Sequence, residues 1–150
     1  MQKRPDWLLC LMLFMAPMTS LSEVITLANG DRYEGEISDG VLNGPGVDQW
    51  IGGDRYEGEF RNDKKHGHGV FTWESGNVYT GAYQEDQRHG YGEMVWNDGS
   101  SYIGQWEDGM QHGQGRLVLA DGRVKEGHFE KNRFVKRPVS QPTSRAPSRV

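Results

Sequence analysis

The chain has a single cysteine, Cys10, among its 150 residues. It lies in an apolar N-terminal stretch, so a mature chain lacking that stretch has neither disulfides nor a thiol ligand or nucleophile. Apolar residues are scarce at 35%, and their longest run, Trp7 to about Met15, is half the roughly 20 residues a membrane-spanning helix needs. Positive charge is also scarce in the body: between Glu23 and Val135 there are 11 Lys or Arg against 20 Asp or Glu. That balance argues against nucleic acid as a partner, because nucleic acid needs a basic footprint. It disfavours headgroup binding to an anionic bilayer for the same reason. No phosphate loop, dinucleotide fingerprint or nucleophile motif appears, and the length leaves no room for an appended catalytic domain. A non-enzymatic protein without cofactor or metal is expected.

The two ends differ from the body. Residues 1–22 combine Lys3 and Arg4, the apolar run, and a small polar stretch ending in Ser20 and Ser22. This is the three-part form of a secretory signal peptide. Cleavage after Ser22 and export to a periplasm or the medium are expected, with an uncleaved membrane anchor as the alternative. Residues 136–150 hold four basic and no acidic residues among Pro and Ser, which predicts a disordered basic tail.

What is abundant is glycine, 21 residues, and aromatics, 11%. Both fall on a period. Tyr56 opens YEGEFRNDKKHGHGVFTWESGNV, and 23 residues later Tyr79 opens YTGAYQEDQRHGYGEMVWNDGSS. Tyr102 and Tyr33 open two further copies. A fixed internal period is the signature of a repeat array. The expected organisation of residues 23–135 is a half-repeat at 24–32, repeats at 33–55, 56–78, 79–101 and 102–124, and a partial repeat at 125–135 in which Lys125 replaces the tyrosine. The two ends read as caps.

Within a unit the alternation has a period of two, that of strands. Tyr56, Gly58 and Phe60 share one face, as do Gly69, Phe71 and Trp73, while Glu57 and Glu59 point the other way. A polar turn over Arg61 to Gly67 joins the two strands, and Ser75-Gly76 or Asp98-Gly99 joins successive units. The glycines at 35, 58, 81, 104 and 127 are in register. Their absent side chains leave room for an aromatic ring from a neighbouring strand. The fold class is therefore all-β: an elongated, single-layer antiparallel meander of stacked hairpins.

The pattern Tyr-x-Gly-x-aromatic, turn, His-Gly-x-Gly, aromatic, Asp-Gly at 23-residue intervals resembles the MORN repeat, from Val24 to about Val135. The first unit departs from it, with Asn43 for the histidine, Pro45 between the glycines and Asp48 at an apolar place. The resemblance implies a binding or scaffolding module with a groove along its aromatic face. The residues assigned to that partner-binding face are Tyr56, Phe60, Trp73, Tyr79, Tyr83, Trp96, Tyr102 and Trp106. A protein or peptide is the expected partner. The alternative is a cell-envelope protein tethered by its N-terminal segment or basic tail, with the array as spacer.

His66, His89 and His112 occupy one position in successive units. Equivalent positions in adjacent hairpins lie two strands apart, roughly 10 Å, whereas zinc needs each nitrogen at about 2.0–2.1 Å. A third imidazole could not reach an ion shared by two. The expected role of these histidines is to structure the turn through a hydrogen bond to a backbone carbonyl. Glu34, Glu36, Glu57 and Glu59 read as a solvated polar face.

Overall fold

The computed structural model describes residues 22–136. The expected signal peptide and basic tail lie outside the described residues, apart from Ser22 and Lys136. Eleven strands follow one another: β1 (Ser22–Thr26), β2 (Arg32–Ser38), β3 (Val41–Gln49), β4 (Arg55–Arg61), β5 (Lys64–Thr72), β6 (Val78–Gln84), β7 (Gln87–Val95), β8 (Ser101–Glu107), β9 (Met110–Val118), β10 (Val124–Glu130) and β11 (Arg133–Val135). Each pairs antiparallel with the next, giving one open sheet in sequence order. The all-β, single-layer meander expected from the sequence is what forms.

The hairpin turn within each unit is shorter than the polar composition suggested. β4 and β5 are joined by Asn62 and Asp63 alone, with φ of 49° and 64°, the paired positive values of a type I′ turn. Lys64 to Gly67, expected in the turn, belong to β5 instead. The mismatch arises because β5 carries a bulge. Gly58 pairs with Gly69 but Glu59 pairs with His66, so two residues, Gly67 and His68, have no partner on β4 while they pair with Tyr83 and Ala82 of β6. Gly67 takes a φ of 58°, a conformation open to glycine at little cost. The bulge recurs between Gly81 and Tyr83 and between Gly104 and Trp106.

Four of the registered glycines have a different occupant from the one expected, while Gly127 meets the ring of Phe134 from the neighbouring β11, as expected. The ring over the Gly58–Gly69 pair is Tyr56, from the same strand as Gly58 rather than from a neighbour. A Cβ on Gly58 would meet the Tyr56 hydroxyl at 2.5 Å and the Gly69 Cα at 2.6 Å. The ring thus lies along its own strand, and its hydroxyl donates to the Glu59 carbonyl at 3.0 Å, beside the bulge. Tyr33, Tyr79 and Tyr102 do the same with the carbonyls of Glu36, Ala82 and Gln105.

These tyrosines alternate with the residue four positions later in a continuous zig-zag. It runs Tyr33, Phe60, Tyr56, Tyr83, Tyr79, Trp106, Tyr102, Phe129. Consecutive centroids are 5.0–5.3 Å apart and the planes are 80–88° apart. Edge-to-face pairs of this kind each contribute about 0.5–1.5 kcal/mol beyond the area they bury. A sheet with no second layer thereby acquires a core along one face.

Side chains also fasten hairpin to hairpin at both margins. At one, Asp63, Asp86 and Asn132 accept from the backbone N–H of Leu42, Lys65 and Gln111 at 2.7–2.9 Å. At the other, Asp31, Asp54 and Asn77 accept from Ile51, Glu74 and Asn97 at 2.9–3.0 Å. The carboxylates at these positions have structural work, which accounts for part of the acidic excess.

Candidate functional site

The strand alternation places all eight sequence-assigned aromatics on one face, but it does not make them equally accessible. Tyr56, Tyr79 and Tyr102 are fully buried, and Phe60, Tyr83 and Trp106 are 4–6% exposed. Those six rings belong to the core, and only the edges of Tyr83 and Trp106 reach the surface depressions described below. Trp73 and Trp96 are half-buried, packed against that core from its margin. The accessible remainder is therefore the margin, to which sequence reasoning had not assigned Trp50, Phe71 and Leu117. A signal for Trp50 was present, since it falls on the same repeat position as Trp73 and Trp96.

Two cations complete this margin. Lys65 Nζ stands 5.6 Å from the Trp50 ring, 5.7 Å from Tyr56 and 5.8 Å from Phe71, and 3.4 Å from Asp86. One repeat on, the Arg88 guanidinium lies 4.6 Å over Trp106 and 5.8 Å from Tyr79. Its Nη2 donates to the Gly109 carbonyl at 2.7 Å. Burial lowers the Arg88 pKa from its ordinary value, yet a guanidinium remains charged at neutral pH. Among the described residues no carboxylate pairs with it. Both cations were hidden from sequence reading by their place next to the turn, where a charged residue normally faces solvent.

Around Arg88 the surface forms a depression of about 520 Å³, bounded by Trp96, Trp106, Leu117, Ser100, Gln111 and Asn132. Asp98 stands at its rim, where the Ser100 hydroxyl and N–H hold its carboxyl below the usual range. A second depression of about 330 Å³ lies between Lys65, Phe71, Trp73, Tyr83 and Arg88. The two share Arg88, so they are neighbours along one groove. At the N-terminal end Asp48 takes the place that Phe71 and Met94 fill in later units. Burial raises its pKa, and Lys65 pulls it back down.

Four units of the chain, residues 33–55, 56–78, 79–101 and 102–122, match the MORN repeat. The chain belongs to the MORN repeat family. Arrays of MORN hairpins commonly serve as protein- or membrane-interaction modules and are typically non-catalytic. None of the curated proteins compared with the chain matches it.

The histidines of these MORN units do not behave as expected. His66 Nδ1 is buried and makes no hydrogen bond, so it does not bind a turn carbonyl. His112 Nε2 lies 3.2 Å from a Glu107 carboxylate oxygen. Among the described residues no three His, Cys, Asp or Glu side chains gather where a metal ion could sit. The opposite face carries Glu34 and Glu57 beside Pro45 and Val47. It also carries an exposed aromatic, Tyr91, near Ile103.

Proposed function

We propose that the protein is a non-enzymatic interaction or scaffold module whose binding element is the tryptophan margin of the MORN sheet, from Trp50 to Leu117. One observation carries this reading: half-buried Trp73 and Trp96 flank Arg88, a cation held over a ring with no carboxylate partner among the described residues. Tyr, Trp and Arg are the residues that dominate binding energy at protein interfaces, and an apolar groove with a few placed polar groups is the usual form of a ligand site. The partner is a protein or peptide that lays apolar side chains on Trp96 and Leu117 and offers an oxygen acceptor to Arg88. The acidic body does not favour nucleic acid or a lipid surface.

Replacing Trp73 and Trp96 together by alanine tests the reading, because neither belongs to the buried zig-zag. The circular dichroism of a folded sheet should persist, while proteins crosslinked to the wild-type array should be lost. Crosslinked partners retained by a folded double variant would refute the groove.

We also propose that the array works outside the cytoplasm, on the strength of residues 1–22. Mass spectrometry of the protein from its native source should find a chain beginning near Glu23. A full-length chain that pellets with membranes would overturn cleavage and favour the tethered alternative.

A further inference from the structure

The two end strands are pieces of one strand. Two periods of 23 residues place β1 on His68–Thr72, the back part of β5, and three periods place β11 on Lys64–His66, its front part. Between them they supply every position of β5 except that of the bulge residue Gly67. β11 covers only the second half of β10, pairing with His128, Phe129 and Glu130. Among the described residues nothing pairs with the outer edge of Val124–Gly127, although the equivalent Arg55–Gly58 of β4 pairs with Gly69–Thr72. The residues of β1 equivalent to Gly69–Thr72 are Glu23–Thr26, and their outer edge is likewise open among the described residues.

We infer that copies of this chain associate head to tail, β1 of one copy completing the strand that β11 of another begins. The register follows from β4 and β5: Thr26 opposite Val124, Ile25 opposite Lys125, Val24 opposite Glu126, and Glu23 opposite Gly127. The backbone is oriented for it. Leu27 N–H donates to Asp31, so alternation turns the N–H groups of Ile25 and Glu23 toward β2 and those of Val24 and Thr26 outward. By the same alternation β10 presents the N–H groups of Glu126 and Val124.

Charge and apolar surface agree with the register. From Ser22 to Asp39 five carboxylates (Glu23, Asp31, Glu34, Glu36, Asp39) stand against Arg32 alone. From Arg123 to Lys136 five cations (Arg123, Lys125, Lys131, Arg133, Lys136) stand against two glutamates. The ends are oppositely charged, which favours head-to-tail contact and opposes like ends meeting. Of the eight large apolar residues exposed on the described surface, Val24, Ile25, Leu27 and Val124 lie at these two ends.

The junction is weaker than those inside the array. At the positions of the Asx clasps it offers Arg123 and Gly40, which have no side-chain oxygen to accept from a backbone N–H. Association is therefore reversible and concentration-dependent. Because the contact is heterologous and uses a different surface on each copy, it extends into an open array unless the rotation closes it.

Sedimentation velocity on the full chain tests the inference with two edge-blocking variants. Val24→Pro and Glu126→Pro each remove one outward N–H from an edge, where proline is tolerated. The wild-type chain should form a concentration-dependent series, and losing one hydrogen bond of the junction should raise its dissociation constant about tenfold or more. Each variant alone should remain monomeric. An equimolar mixture should form a 1:1 dimer and stop there, since each retains the edge the other has lost. If Glu126→Pro does not fold, Val124→Pro blocks the same edge. A wild-type chain that is monomeric throughout, variants that associate like it, or a mixture that does not dimerise would each overturn the inference. The Trp73→Ala/Trp96→Ala variant should assemble normally, which separates this test from that of the groove.

Discussion

Adding one methyl group at Gly92 should cost more than removing most surface side chains, because of where Tyr79 lies. A Cβ at Gly92 would stand 2.6 Å from the ring carbon bearing the hydroxyl and 2.8 Å from its neighbour, with the hydroxyl oxygen closer still. Tyr79 cannot withdraw. It is fully buried, its hydroxyl donates to Ala82 at 3.0 Å, and its ring meets Tyr83 and Trp106 edge to face. The Trp106 indole N–H in turn donates to the Gly92 carbonyl at 3.1 Å. Overpacking of a closed core costs about 1–3 kcal/mol, and loss of the hydroxyl bond about 1 kcal/mol more. Gly92→Ala should therefore destabilise the array by about 2–4 kcal/mol, read as a lowered urea midpoint at unchanged slope. The decisive measurement is a double-mutant cycle. In a Tyr79→Ala background the ring is gone, and the same glycine substitution should cost little, giving a coupling on the order of 2 kcal/mol. A cost for Gly92→Ala that is equal with and without the ring would refute the steric account of the registered glycines.

Three further outcomes follow, from burial, from the N-terminal segment and from the tryptophan margin. Burial holds the Tyr79 and Tyr102 pKa values up at about 12, against an ordinary 10.0. The folded state thus keeps protons that the unfolded chain gives up, so stability is full below pH 10 and lost as pH rises toward 12; fluorescence-monitored urea melts should show this, and a flat profile from pH 9 to pH 12 would refute it. The mature mass near Glu23 and loss of crosslinked partners on replacing Trp73 and Trp96 complete the set, on independent samples.

The period, the hairpin pairing and the aromatic face were all legible, because each rests on a residue type recurring at a fixed interval. Tyr56, Tyr79 and Tyr102 announce the strands, and their glycine partners announce the close approach. What the sequence concealed was depth. Alternation assigns Tyr56 and Trp73 to one face, but only the two-residue lateral offset between them decides that one is sealed and the other half-open. The bulge was concealed for a related reason. Lys64-Lys65-His66 reads as a solvated turn by composition, while in the structure Lys65 buries its stem on three rings and keeps its charge near Asp86, as long amphipathic side chains can. The source of the ring above each glycine was likewise invisible, since a tyrosine two residues earlier and one on the next strand satisfy the same spacing.

The repeat positions divide by how far they vary between units, and that division bears on the proposed function. Four full units share Tyr at the opening position and glycine at the two that lie beneath its ring, where any Cβ collides. The position of Lys65 is held in turn by Leu42, Lys65, Arg88 and Gln111, and that of Phe71 by Asp48, Phe71, Met94 and Leu117. Both sets lie on the same face as the tyrosines and differ in depth: Met94 and Gln111 are buried, while Leu42, Asp48, Lys65, Phe71, Arg88 and Leu117 are half-buried. Three units nonetheless keep Trp at 50, 73 and 96. A half-buried indole is not required by the zig-zag, which runs through Tyr and the residue four beyond it. Variation of charge beside a tryptophan kept in three of the four units suits the binding surface proposed above, with general affinity from the rings and selectivity from the changing neighbour. On the function proposed above, the groove at Arg88, whose guanidinium has no carboxylate partner among the described residues, is where a partner's identity should be written.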